Sequence, residues 1–372
     1  MEKFLVLDYE SDHEWGLDIW HPEFKLISGD FLFIKGEERA AKFTQDLKEM
    51  SKYINFAVKN DYTILVYNAS YEFSVTKKVF DIDISNNMVD VMRLHYIVTK
   101  KGKLGLSDAV KEYFDVDDYK DKFHEYLIKE GIAKNKKEAK AKVGSLPTEL
   151  LEEYNKLDTE YTLKVYQHCV AELNKLEFDW LNDTVLYNRD VRRNCLSWLR
   201  GVRFDRVLAE KNLKKLIKER DNLIKEFYVE YTLEIQQAEE LIIQSYINKD
   251  YQDRIHKAVN KDSIKKKEVN DKIVDKCKFN LRSTTHLSVL FVDVFKKSPK
   301  IFTEKGDPSF SKNYLSQWGE PGDKLKKIAN YKKPINELES MLEHSAVDGN
   351  LHFFIRTGGT ITGRGSSSMG GV

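Results

Sequence analysis

The segment MEKFLVLDYES sets two carboxylates at the end of a hydrophobic run. Phe4 to Leu7 is continuously apolar, as in a central strand covered on both faces. Asp8 and Glu10 follow, with Tyr9 between them. Residues two apart on a strand share a face, so both carboxylates project together and repel unless a cation lies between them. Hard oxygen donors of this kind suit Mg²⁺ or Mn²⁺. The competing reading is a solvated loop beginning at Tyr9. A second acid follows another apolar run: after Leu65-Val66-Tyr67 come Asn68, Tyr71 and Glu72. Acids delivered at strand ends of an α/β sheet converge on its edge crevice. An ordinary helix start, with Asn68 as N-cap and Glu72 in the first turn, explains the same residues. A third pair is Tyr154 and Asp158. Four residues apart on a helix, they share a face, one offering a metal ligand and the other a group able to orient water. A half-exposed helix face often carries such a pair without chemistry.

Elements must bring these residues together. Lys3–Leu7, Trp15–His21 and Phe24–Ile34 read as strands, the last with a turn at Gly29-Asp30. Glu37–Tyr53 carries Ala41, Phe43, Leu47 and Met50 at helical spacing. A buried strand at Tyr62–Tyr67 precedes a helix near Ser70–Val79, and Met88–Val91 runs into Arg93–Val98. This alternation predicts an α/β layer fold. Residues 105–114 read as a helix capped by Ser107. The charged segment 120–142 reads as a solvated helix or mobile loop. Pro147 suits the first turn of a long helix reaching about Leu173. Beyond Phe178 the pattern is mainly helical. Gly201 breaks one helix, and Asp205 can cap another whose stripe is Leu208, Leu213, Leu216, Leu223, Ile224 and Phe227.

The chain has 372 residues, 41% hydrophobic and 12% aromatic, enough for more than one core. Its 61 basic and 60 acidic side chains nearly cancel, so contact with nucleic acid must rest on local patches. The stretch Arg254–Arg282, with ten Lys/Arg against four Asp/Glu, is one such patch. Cys169, Cys195 and Cys277 are far apart without metal-type spacing and read as free thiols in a reducing compartment. No apolar run is long enough to cross a bilayer, and a cytoplasmic location is expected, that of the host if the protein is viral.

In chain order, Asp-x-Glu on a first strand, Asn-x-x-Tyr-acid after a later one, and Tyr-x-x-x-Asp on a late helix resemble the DEDDy family of 3′–5′ exonucleases. The segments VDVMRLHYI, LGLSDAVKEYF and DTEYTLKVY resemble its supporting phrases. The resemblance covers about residues 1–175. It implies a ribonuclease H-like domain over 1–178, with a mixed sheet flanked by helices. It also implies two Mg²⁺ ions, for which Mn²⁺ can substitute, held by Asp8, Glu10, Glu72 and Asp158. Tyr154 would aim the attacking water, and Asn68 and Tyr71 would meet the DNA 3′ end. Glu72 stands where the family usually has aspartate. One extra methylene displaces the carboxylate by roughly 1 Å, a misplacement that can cost about a hundredfold in rate.

Residues 179–372 resemble the amino-terminal part of the polymerase domain in DNA polymerase I-like (family A) enzymes. RNCLSWLRGVRFDRVLAEKNLKKL is similar to the palm entry, and KFNLRSTTHLSVLF, FTEKGDPSFSKNYL and NYKKPINELESML to thumb segments, over about 206–345. DGNLHFFIRTGGTITGRGSSS resembles the Thr-Gly-Arg segment at the palm edge, here over 357–368. The resemblance implies that Lys265, Lys266, Lys267 and Arg282 track primer–template phosphates, and that Thr362 and Arg364 sit beside the primer terminus. The family's catalytic polymerase aspartates come after this motif and are absent from the sequence. The expected protein is therefore the proofreading exonuclease and DNA-binding part of a replicative polymerase, of bacteriophage type, completed by a second chain or downstream segment. A catalytically weak DNA-binding or assembly subunit of a split polymerase is the alternative.

Overall fold

In the computed structural model of the chain, residues 2–11, 19–257, 265–356 and 366–369 are described. A five-stranded mixed sheet carries the first half, in the order β3-β2-β1-β4-β5. Its strands are β1 (Lys3–Ser11), β2 (Leu26–Lys35), β3 (Glu38–Thr44), β4 (Thr63–Val66) and β5 (Met88–Asp90). β1 is central, antiparallel to β2 and parallel to β4. Alternation along β1 sorts its side chains between two layers. Leu5, Leu7 and Tyr9 enter a core with α1 (Leu47–Lys59), α2 (Ala69–Phe80) and α8 (Trp180–Arg200). Val6 enters the opposite core with α3 (Val91–Thr99), α4 (Leu106–Phe114) and α7 (Thr148–Lys175). Asp8 and Glu10 have the parity of Val6, so the strand itself aims them at the α7 side.

Three expected elements differ. Residues 37–53 are not one helix: β3 pairs along β2 through a tight turn at Gly36, whose φ is +62°, and α1 begins only after Asp46 caps it. Ala41 and Phe43 matched a helical period by coincidence, and pairing with β2 decided the outcome. β3 is an edge strand with exposed Glu38, Arg39 and Lys42, charges that discourage further pairing. Gly29-Asp30 is not a turn, since β2 runs through both in register with Tyr9 and Asp8. In the strand expected at Trp15–His21, residues 15–18 lie outside the described residues and Ile19 to His21 form turns.

The segment 120–142 is ordered. It folds as α5 (Asp121–Lys129) and α6 (Lys136–Ala141), and Phe123, Leu127, Ala133 and Ala139 form a small core with Leu151 and Tyr154 of α7. Its many lysines cover the outer face of that core, which the charge count alone concealed.

The chain divides into two compact units, residues 1–204 with 344–372 and residues 205–343. α8 lies in the first, where Tyr187, Val191, Cys195 and Trp198 are buried. It ends at Gly201, whose φ of +69° turns the chain into β6 (Val202–Arg203), which pairs with β7 (Asn350–Leu351). β8 (Phe353–Arg356) pairs with β9 (Ser366–Met369). The second unit is helical. Asp205 caps α9 (Arg206–Glu230) by accepting from the Leu208 N–H at 2.9 Å, and α10 (Thr232–Lys257) follows. Its core gathers Phe227, Tyr231, Phe291 and Trp318 with shorter helices between Asp271 and His344.

α7 is latched to β2 by two side-chain bonds. The Asn155 amide donates to Ser28 Oγ at 2.9 Å, and the Thr159 hydroxyl donates to Asp30 Oδ2 at 2.6 Å. Both are buried, and an acceptor that loses its donor there costs about 1–3 kcal/mol. Thr159→Val should therefore lower unfolding free energy by about that amount, measured by urea denaturation. A change under about 0.3 kcal/mol would show that this latch does not hold the helix.

Candidate metal centre

Ser28 and Asp30 stand directly opposite Glu10 and Asp8 in the β1–β2 register. The latch therefore lays α7 across the two carboxylates. Asn155 and Thr159 bind β2, while Tyr154 and Asp158, one residue earlier in each case, face the end of β1. One oxygen each from Asp8, Glu10 and Asp158 lies within 4.8 Å of the others. Glu72 arrives from the first turn of α2. The start of that helix is fixed by Asp90, whose Oδ1 accepts from the Asn68 N–H at 3.2 Å and the Met92 N–H at 3.0 Å.

This concentration of acid raises proton affinity. Burial, with Asp158 and Glu10 beside it, holds Asp8 well above the usual carboxylate range. Burial, opposed by Lys120 and reinforced by Asp158, lifts Glu10 to about 8. Glu72 is 2% exposed and is also raised well above the usual range, chiefly by burial and then by Asp8. Asp8 Oδ2 and Glu72 Oε2 are buried acceptors with no hydrogen-bond partner. Unpartnered carboxyl oxygens beside a three-carboxylate cluster are what a divalent cation satisfies, so this donor set fits Mg²⁺ or Mn²⁺. Glu72 lies beside Asp8 but outside the tight group of three.

Tyr154 is buried, its ring edge-on to Phe123 at 5.2 Å, and burial holds its phenol well above 10. Asn68 occupies the N-cap position of α2 with φ +83° but makes no side-chain capping bond. The Tyr71 hydroxyl donates to Ser11 Oγ at 2.7 Å. The expected DNA-contacting lysines belong to the second unit and are exposed. Lys266 Nζ donates to Asn248 at 2.7 Å, and Lys267 pairs with Asp250 at 2.9 Å. The Lys265 carbonyl accepts from Arg254 at 3.0 Å. Arg282 is exposed in the turn before a short helix at Thr284–Ser288. Thr362 and Arg364 lie outside the described residues.

Lys120 was missed. Its ammonium bonds Asp158 Oδ2, lies 4.7 Å from the Tyr154 ring centroid, and has a side chain only 18% exposed. Burial works against its charge, yet Asp158, Tyr154 and Tyr119 hold its pKa well above the usual lysine value. The Tyr119 hydroxyl donates to the other oxygen, Asp158 Oδ1, at 2.5 Å. The one available signal was Phe123 and Leu127, four apart in an otherwise charged run, which marked a packed helix.

A proton on Glu10 is held by the folded state alone between pH 4.5, its ordinary value, and about 8. Native protein binds more protons than unfolded protein there, so this group's stabilisation is lost as pH rises through that window. In chelator, the wild-type thermal midpoint should fall more from pH 5 to pH 8 than that of Glu10→Gln. Adding Mn²⁺ at pH 8 should raise the wild-type midpoint by several degrees, because the ion replaces the missing protons. Parallel pH profiles with no Mn²⁺ effect would show that the cluster holds no cation.

No protein-family model matches the chain, and no curated protein matches it. Among solved structures, it is similar to one described as the POL domain of Pol1 from M. smegmatis in complex with DNA primer-template and dNTP. The TM-score is 0.60 at 12% identity, over 98% of this chain and 51% of that one. The chain thus spans about half the length of that structure. At this identity the likeness is one of fold alone, a similarity to part of a DNA polymerase domain structure.

Proposed function

We propose that the first unit is a DEDDy-type 3′–5′ exonuclease with a ribonuclease H-like sheet, and that it proofreads for a family A DNA polymerase. The carrying observation is the convergence of Asp8, Glu10 and Asp158 within 4.8 Å, with Tyr154 one helical turn before Asp158 on α7. Two divalent ions bound there would activate a water and stabilise the leaving 3′ oxygen of a phosphodiester. Asp8, Glu10, Asp158 and Glu72 would hold the ions. The Tyr154 hydroxyl would accept or donate a hydrogen bond to orient the water, and its high pKa keeps it neutral at working pH. Asn68 and Tyr71, at the start of α2, would border the DNA 3′ end. In the second unit, Lys265, Lys266, Lys267 and Arg282 would meet duplex phosphates. Such contacts are insensitive to sequence and weaken with salt. Thr362 and Arg364 would sit at the primer terminus. A second chain or downstream segment would supply the remaining polymerase residues.

A weak or inactive exonuclease that serves DNA binding and assembly is the second reading, and the position of Glu72 outside the tight group favours it. Asp8→Ala and Asp158→Ala should each reduce release of 3′ nucleotides from labelled single-stranded DNA by at least a hundredfold in Mg²⁺, with circular dichroism unchanged. Full activity in a folded Asp8→Ala protein would sink the exonuclease reading. Glu72→Gln should cut the rate at least tenfold if glutamate is a working ligand. If the site is crippled, Glu72→Asp should raise it.

Replacing Lys265, Lys266 and Lys267 together with Ala should weaken primer–template binding and flatten its dependence on salt by up to about three counterions. An unchanged salt slope would remove these lysines from the DNA surface.

A further inference from the structure

We propose that Lys120 is a substrate-binding residue, whose ammonium takes the negative charge of the scissile phosphodiester. The inference rests on the exonuclease reading and deepens it. Lys120 is the cation that touches the carboxylate cluster among the described residues, bonded to Asp158 and seated over Tyr154, the residue assigned to orient water. Its side chain is 18% exposed, so the residue lies at the margin of the cluster rather than sealed beneath it.

Charge counting gives it a task. Two divalent ions, if bound, would neutralise the four carboxylates Asp8, Glu10, Glu72 and Asp158. The single positive charge of Lys120 is then left over, and it matches the single negative charge of a phosphodiester. Without Lys120 the loaded site would be neutral, and the substrate would enter with its charge unopposed. Asp158 is already bonded by Tyr119 at its other oxygen, so it keeps an orienting partner when the ammonium turns toward substrate. A lysine suits this role better than an arginine, because it is a compact charge on a flexible stem. No bond to Lys120 forms or breaks. It binds and orients one phosphate oxygen.

The alternative role is purely positional, with Lys120 holding Asp158 in place. A thermodynamic cycle separates the two. Affinity of a short oligothymidylate is measured with wild-type protein and Lys120→Met, using either a natural 3′-terminal phosphodiester or an uncharged methylphosphonate at that linkage. The titrations are run in chelator and in Ca²⁺, with intact strands checked afterwards. Wild-type affinity should drop about tenfold or more on losing the phosphate charge, as for a charge-assisted hydrogen bond. Lys120→Met should show little such loss, and Lys120→Arg should restore part of it. Equal losses in wild type and Lys120→Met would overturn the proposal and leave Lys120 a positioning residue. If Lys120→Met fails to fold, Lys120→Gln, which keeps a donor toward Asp158, carries the same cycle. The cycle reads binding alone. An active Asp8→Ala protein would refute the metal ligand set and leave the Lys120 coupling to stand or fall separately.

Discussion

Mutual repulsion among carboxylates is the constraint around which the first unit is built. At 4.8 Å and an effective dielectric near 20, each ionised pair costs about 3 kcal/mol. A single typical hydrogen bond returns only about 1 kcal/mol, so one neutral donor apiece would not offset the repulsion among Asp8, Glu10 and Asp158. The fold meets this cost by two routes in its own residues. Burial and neighbouring carboxylates raise the proton affinity of Asp8, Glu10 and Glu72, and Lys120 lies against Asp158. Both offset negative charge, the part a divalent ion would take if bound there. The orphaned oxygens of Asp8 and Glu72 mark where that offset is incomplete.

Holding such a cluster needs a stiff frame, and α7 shows how one helix supplies it. Its residues work in adjacent pairs: 155 and 159 fasten to β2, while 154 and 158 address β1. Because Asp30 faces Asp8 and Ser28 faces Glu10 across the ladder, the fastening and the chemistry share one register. A slip of β2 by one residue would turn Ser28 and Asp30 to the other face of the sheet. It would break both latches and carry Asp158 away from Asp8. Asp90 does comparable work on the other side, bonding the Asn68 N–H, the Met92 N–H and the Tyr187 hydroxyl. It ties the starts of α2 and α3 to α8, and so sets where Glu72 enters.

What could be read from residue order was whatever local pattern controls. The apolar run ending in Asp8 and Glu10, the helix bearing Tyr154 and Asp158, and the cap at Asp205 each depend on neighbours in sequence. What could not be read depends on partners far along the chain. β3 was hidden because an exposed edge strand needs β2 to exist, and its own residues fit a helix as well. Asp30 looked like a turn residue, since its donor Thr159 lies 129 positions away. Lys120 was lost in a charged run because its role is defined by Asp158, 38 positions later. The core of Phe123 and Leu127 beneath it was the clue that its segment packs.

A nearly balanced chain distributes its charge unevenly. The first unit gathers acid at the end of the central strand β1, where an anion would be repelled without neutralisation. In the second unit, Lys265, Lys266, Lys267 and Arg282 stand exposed on a helical scaffold. Part of that positive charge is already engaged: Asp250 accepts from both Arg254 and Lys267. The free field of the stretch is therefore smaller than its lysine count, and under the proposed function phosphates would compete with Asp250 for two of its cations, which would temper affinity without removing it. The acidic cluster has the opposite balance. Three carboxylates stand against the one ammonium that touches them among the described residues, that of Lys120, so under the proposed function bound cations would be needed to offset its charge toward a phosphate.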